Sequence, residues 1–308
     1  MLARVSAPRA LGILLLLLLL LFVYSSPDSV WQGDRAVSSP GDACIMKDIS
    51  RGGSNYRMCL RDNDILSDII RRKGFWYECD ALLAEWRKGA HDATGRTDVF
   101  FVDAGANIGS CSMLMASNGV PTRSFEPSAS NLFFFTSSLL ASPTAKSKTT
   151  VHMVGLGEKP SSHTLYSQLG NKGNSVVDVA VRDYDSANMT QQTIHIRRLD
   201  EILWPHSQPL PPLVPVMKMD VQGYEVKLLM GAKRLLEARA IKSIKTELAA
   251  KWLIAQGTSP RRLCALLQFH GFNIFNGNNG NPMTLDDCEE TAKHDNGICD
   301  VWARLRPM

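Results

Sequence analysis

Five short apolar runs, each followed by a stretch of helical period, confine this chain of 308 residues to an α/β fold. Val99–Asp103 reads VFFVD, and Thr122–Glu126, Val151–Gly155, Val214–Asp220 and Ile241–Leu248 repeat the pattern. Between them the spacing predicts helices over Ser110–Ser117, from an N-cap at Ser128 through Leu140, and over Glu225–Arg239 with Leu228, Ala232 and Leu235 along one face. A further helix is expected over Pro260–His270, with proline in its first turn. Phe272–Phe275 and Asp300–Leu305 supply two closing strands. Strands alternating with helices predict a Rossmann-like, doubly wound, largely parallel sheet of seven strands. Residues 158–198 are less regular, with room for extra strands at Ser175–Val181 and Thr193–Arg197. Hydrophobic residues at 44% and charged residues at 21% exclude disordered, collagenous and coiled-coil classes. A net charge of +4 without a Lys/Arg stripe gives no ground for nucleic-acid binding.

The chain divides before the sheet begins. Residues 1–25 hold Arg4, Arg9 and the run LGILLLLLLLLFVY over Leu11–Tyr24, followed by Ser25-Ser26-Pro27-Asp28. This is a secretory targeting segment, either a cleaved signal peptide or a type II membrane anchor. Its length suits a signal-peptide core. Eight consecutive leucines and the thin membranes of the secretory pathway favour the anchor, with the body in the ER or Golgi lumen. Residues 26–60 read as a stem or loosely ordered lead-in, and 61–95 as a helical extension with helical period from Asp64 to Lys88 and a turn at His91–Gly95. Residues 96–308 form the main domain. Seven dispersed cysteines suit an oxidising compartment and show no CxxC zinc spacing. Cys111 is the expected unpaired one, and the other six allow 15 pairings. Asn188-Met189-Thr190 is a glycosylation sequon.

Chemistry is expected beyond the carboxyl ends of the strands. After the first comes Asp103-Ala104-Gly105-Ala106-Asn107-Ile108-Gly109, a G-x-x-x-G turn rather than a dinucleotide fingerprint. Asp103 at its start disfavours a pyrophosphate and favours an ammonium or hydroxyl. After the second strand, Glu126 stands where an acid grips ribose hydroxyls in nucleotide-binding βαβ units. Taken singly, each acid is as well explained as a helix cap. In register on consecutive strands, one acid for an amino group and one for a ribose describe S-adenosylmethionine. Lys218, Asp220, Tyr224 and Glu225 surround the end of the fourth strand. Asp220 is the first candidate general base for an alcohol acceptor, and Glu247, ending the fifth strand, the second. An N-cap role competes for Asp220, and simple ion pairing for Lys218. The seven histidines form no HxxxH or HExxH, so no catalytic metal is expected.

The blocks FVDAGANIGSCSMLMASNG, FEPSASN, VGLGE, RRLDEIL, VMKMDVQGYEVKLLMGAKRLL and KTEL, over roughly residues 97–250, resemble the FkbM family of methyltransferases. The resemblance implies the class I methyltransferase fold, S-adenosylmethionine as cofactor and O-methylation, often of sugar or polyketide hydroxyls. It implies that Asp103, Gly105, Asn107 and Gly109 line the methionine end, that Glu126 holds the ribose and that Glu158 approaches the adenine. Gln222 departs from the family, which usually has Glu there. With the compartment, the expected acceptor is a small molecule or glycan hydroxyl in the secretory pathway. Two other readings stand beside this one. One is a type II membrane glycosyltransferase using Asp183-Tyr184-Asp185, although Asp62-Asn63-Asp64 fits that pattern equally. The other is a catalytically inactive binding module, suggested by Gln222.

Overall fold

The computed structural model describes residues 30–90, 95–168, 171–178, 189–290 and 297–307. Its strands in chain order are β1 (Ile45–Arg51), β2 (Ser54–Leu60), β3 (Phe101–Ala104), β4 (Thr122–Phe125), β5 (Thr149–His152), β6 (Gly155–Leu156), β7 (Ser161–Gln168), β8 (Asn171–Val177), β9 (Met189–Arg197), β10 (Val214–Met219), β11 (Ile241–Ala249), β12 (Phe272–Asn276) and β13 (Ile298–Leu305). Seven of them form the main sheet, in the order β5-β4-β3-β10-β11-β13-β12. All neighbours from β5 to β11 pair in parallel, and β13 runs antiparallel between β11 and β12. Strand order reverses between β3 and β10, which opens a crevice at their carboxyl ends.

The central strands are apolar on both faces because helices cover both. Phe101 and Val216 enter one hydrophobic layer, while Val102, Ala104, Met217 and Met219 enter the other. The first layer is filled from helices Ile65–Lys73, Tyr77–Gly89, Ser110–Ser117 and Ala129–Leu140. The second is filled from Leu199–Leu203, Glu225–Gly231, Lys233–Glu237 and Pro260–Phe269. Ser128 and Ser259 cap their helices through backbone N–H bonds from Asn131 and Arg262.

Several expectations are corrected. The third strand stops at His152, and Gly155–Leu156 leaves the main sheet to pair with β9. A second sheet, β6-β9-β7-β8, therefore stands beside the first, and its strand β7 was not expected. The helical stretch after Asp64 is two helices, because Gly74 ends the first in the left-handed conformation (φ 79°). The helix from Glu225 also breaks, at Ala232, and the carboxylate of Asp200 caps its second half through Arg234 N and Leu235 N at 3.0 Å each.

The lead-in is more ordered than its composition suggests. β1 and β2 form an antiparallel hairpin that buries Met58, Cys59 and Leu60 against the first layer. Cys59 N donates to Ser138 Oγ (2.9 Å) and Arg57 N to Ser142 Oγ (2.8 Å), so helix hydroxyls satisfy the hairpin edge. Disulfides join Cys44–Cys59, Cys79–Cys111 and Cys264–Cys288. Cys111 is therefore bonded, since its helix start faces Cys79, and Cys299 is the free thiol. Among the described residues no helix is long and apolar enough to cross a membrane. The run Leu11–Tyr24, the sequon's Asn188, Asp183-Tyr184-Asp185 and most of the His91–Gly95 turn lie outside the described residues.

Candidate active site

The loop after β3 is held by close backbone approach. Gly105 and Ala106 donate their N–H groups to Phe125 O, at 3.0 Å each. Gly105 has φ 80°, and a Cβ there would collide with the backbone oxygen of Asp220. Only glycine lets the loops after β3 and β10 touch at this point. Gly109 (φ 83°) lies flat against the Phe135 ring, where a side chain would not fit. It is a packing glycine and lines neither cavity described below. Asn107, also at positive φ (54°), donates its backbone N–H to Glu126 Oε2 at 2.8 Å.

Glu126 thereby ties two loops together. Its Oε1 accepts from Ser128 N (2.9 Å) and from Asn131 Nδ2 (3.3 Å). Burial raises its pKa, and the backbone donors partly oppose that shift. Asp103, 1% exposed, accepts from Ser112 Oγ at 2.6 Å through Oδ2. Its Oδ1 is buried with no hydrogen-bond partner in the protein and lies 3.9 Å from Lys218 Nζ. Burial raises the Asp103 pKa as well, against the pull of Lys218 and Ser112.

Two cavities meet at these loops. One, of about 640 Å³, is walled by Gly105, Asn107, Glu126 and Asn131 and, from the second sheet and its flanks, by Val154, Leu156, Ile194, Ile196 and Tyr224. The other, of about 940 Å³, is walled by Asp103, Asn107, Lys218, Glu247 and Trp252, and by Trp76, Tyr77 and Glu78 of the N-terminal extension. Asn107, Asp220 and Gln222 belong to both walls. Glu158 does not enter either wall. It follows β6, which has turned towards the second sheet, and it is exposed; Val154 and Leu156 occupy the cleft instead.

Around the second cavity the charges form one network. Lys218 Nζ lies 3.3 Å from Asp220 Oδ2, 3.8 Å from Glu78 and 3.9 Å from Asp103, and donates to Gly105 O at 3.3 Å. Burial opposes its charge, but the three carboxylates more than offset this and raise its pKa. Lys218 is thus a fixed cation. Lys245, one strand over, pairs with Glu78 (3.0 Å) and Asp300 (2.9 Å). Gln222 donates Nε2 to Asp220 Oδ1 (2.7 Å) and reaches Glu247 Oε2 (3.4 Å). Burial, reinforced by Asp220, Asp300 and Glu225, pushes Glu247 up to about 8. Glu225 accepts from Val221 N and Gly223 N, which shapes the Gln222 turn, and burial pushes it up to about 7.

All the expected catalytic candidates therefore converge on one wall, and Asp103, Gly105, Asn107 and Glu126 converge on the adjoining loops. Sequence reasoning missed Glu78, Trp76 and Lys245. Glu78 carries one signal, since it neighbours Cys79 and the disulfide to Cys111 draws it to the loop after β3.

A family model, the Methyltransferase FkbM domain, matches residues 103–274, more than half of the chain. The chain belongs to the FkbM methyltransferase family, and its cofactor is S-adenosylmethionine. It is similar to the precorrin-6y C5,15-methyltransferase of Geobacter metallireducens GS-15, with 12% identity and TM-score 0.33 over 71% of this chain and 86% of that one. It is also similar to the METTL16 methyltransferase domain, with 9% identity and TM-score 0.37 over 72% and 66%. A third is the phosphoethanolamine N-methyltransferase 2 of Haemonchus contortus in complex with phosphomonomethylethanolamine and S-adenosylhomocysteine, with 10% identity and TM-score 0.35 over 76% of this chain and 53% of that one. No curated protein matches. The residues present fit the cofactor. The smaller cavity is lined by Gly105 and Asn107 and pairs an apolar wall with the Glu126 carboxylate, and Asp103 Oδ1 is an unspent acceptor.

Proposed function

We propose that this protein is an S-adenosylmethionine-dependent O-methyltransferase acting on a hydroxyl of a glycan or related small substrate in the secretory pathway. Glu126 holds the ribose, and Gly105, Asn107 and Asp103 hold the methionine end. The apolar wall of Val154 and Leu156 receives the adenine, the part first assigned to Glu158. When bound, the cofactor supplies an electrophilic methyl carbon on a sulfonium. The chain's own task is to orient the acceptor hydroxyl and take its proton.

Asp220 carries this reading, because it stands in the wall shared by both cavities. It is the general base. Glu247, pushed up to about 8, holds its proton at neutral pH and cannot share that role there. Lys218 is a positioning residue that fixes Asp220 against the Gly105 loop. Gln222 keeps a donor between the two acids, which favours an active site over an inert binding module. Three disulfides support the secretory address. A lumenal body anchored or targeted by residues 1–25 would carry glycan on Asn188, which endoglycosidase sensitivity reports.

The test is calorimetric titration of the full chain with S-adenosylmethionine, followed by a screen of hydroxylated acceptors. Cofactor binding with transfer to a hydroxyl supports the reading. Transfer only to nitrogen acceptors, or no cofactor binding, overturns it.

A further inference from the structure

The larger cavity has an acidic floor and an apolar mouth. Nine large apolar side chains are strongly exposed among the described residues, and three of them, Ile65 (56%), Tyr77 (59%) and Ile298 (55%), line this one cavity. They come from three separate segments: the first helix of the extension, the start of the second and the start of β13. Trp76 and Trp252 continue the apolar surface inward. Exposed apolar side chains scattered singly need no explanation, but three around one opening do.

The floor has the opposite character. Glu78, Asp220 and Glu247 line it, next to Asp103, which is assigned to the methionine end of the cofactor. The one described cation in the wall, Lys218, is already shared among Asp220, Glu78 and Asp103. Lys245 behind it is committed to Glu78 and Asp300. Neither of these two described cations is left to receive an anionic acceptor, whereas hydroxyl groups find acceptors in Asp220 and Glu247.

We infer, on the proposed reading of this site as an O-methyltransferase, that its acceptor is an amphiphile: a hydroxyl-bearing, non-anionic head that reaches the acids of the floor, joined to an apolar tail that lies on Ile65, Tyr77 and Ile298.

The test uses the full chain saturated with S-adenosylhomocysteine and three probes kept below their micellar concentrations. Octyl glucoside supplies head and tail, glucose the head alone, and octanoate a tail one carbon shorter with an anionic head. The expected result is octyl glucoside binding at least about tenfold more tightly than either control, the factor that burying one or two methylenes supplies. In the I65S/I298S double variant that advantage falls about tenfold, while S-adenosylhomocysteine affinity stays unchanged and shows the fold intact. Equal binding of glucose removes the tail, and equal binding of octanoate removes the head selection. An unchanged advantage in the double variant places the probe elsewhere, on the amino-terminal run included. Each of these overturns the inference. Failure of wild type to bind S-adenosylhomocysteine is a separate result, and it overturns the underlying methyltransferase reading first.

Discussion

Gln222 holds Asp220 by a 2.7 Å hydrogen bond from Nε2 to Oδ1, and the same amide nitrogen lies 3.4 Å from Glu247. The turn that carries Gln222 is in the left-handed region (φ 49°), so its side chain is delivered to the two acids by backbone shape rather than by chance rotamer. A neutral donor between two carboxylates lessens their repulsion and fixes the orientation of Asp220. The Gln222 amide therefore has a local consequence that can be measured.

The substitution Gln222→Glu puts a third carboxyl beside Asp220 and Glu247. Protonated, it can still donate; ionised, it repels both neighbours. Its folded-state pKa is raised above the unfolded value, so the stability it permits is present at low pH and lost as pH rises. The variant should melt close to wild type at pH 5 and several degrees lower at pH 8, corresponding to about 1–3 kcal/mol for losing the donor. A melting difference independent of pH would show that the amide does not bridge the acids.

Glu247 makes a related prediction for wild type. Its pKa rises from 4.5 to about 8 on folding, chiefly through burial, so between those values the folded chain binds more protons than the unfolded one. Stability should fall as pH climbs through that window. Glu225, pushed up to about 7, acts in the same direction. Glu247→Gln removes one titration, and its urea midpoint should decline less between pH 6 and pH 9 than that of wild type. Parallel curves for the two proteins would place the Glu247 proton elsewhere.

The parallel half of the main sheet and the loop after β3 were legible because both faces of those strands are buried, which writes continuous apolar runs into the sequence. Asp103, Gly105, Asn107, Glu126, Asp220 and Glu247 were legible for a related reason: they occupy the strand ends that such a sheet exposes to ligands. The hairpin over residues 45–60 was not, since its stabilising partners are hydroxyls of Ser138 and Ser142, about 80 residues away. Glu78 was hidden likewise. Its role comes from Lys218 and Lys245, and nothing local in YECDALL distinguishes it from a first-turn acid favoured by the helix dipole. Glu158 stands outside both walls because the chain leaves the main sheet after His152 and pairs with β9 from Gly155.

The Cys79–Cys111 disulfide fastens the helix bearing Glu78 to the helix that follows the glycine loop. The bond closes a sequence separation of 32, for which loop entropy predicts about 3–4 kcal/mol. Replacing both cysteines by alanine should lower unfolding free energy by roughly that amount in a urea titration. A loss below about 1 kcal/mol would mean that packing alone seats the extension.

Glu126→Ala tests the ribose assignment and its structural counterpart together. The carboxylate accepts from Asn107 N and Ser128 N, so truncation leaves both without their acceptor. S-adenosylhomocysteine affinity should drop by about 1.5–3 kcal/mol, the range for hydrogen bonds to a charged group. Calorimetry reads it directly, and unchanged affinity would confine Glu126 to holding the loops.

Asp220→Asn separates base from scaffold. Asn has nearly the same size and keeps one oxygen for Gln222 Nε2 or Lys218 Nζ to bond, so the network around the Gly105 loop should survive. Cofactor affinity should change little, because Glu126 and the glycine loop provide the anchoring. What is lost is the charge that accepts the acceptor's proton, and transfer should fall by roughly 10²–10⁴. Raising the pH ionises Glu247 in the same wall, and in this variant it does so below about 8, because the Asp220 charge that helps to raise it is gone. If Glu247 then substitutes as base, the variant regains rate as pH rises from 7 to 9, while wild type, already served by Asp220, gains less. A lowered melting temperature with weakened cofactor binding would instead mark Asp220 as a structural tie between Lys218 and Gln222. Undiminished transfer would leave deprotonation to the acceptor itself.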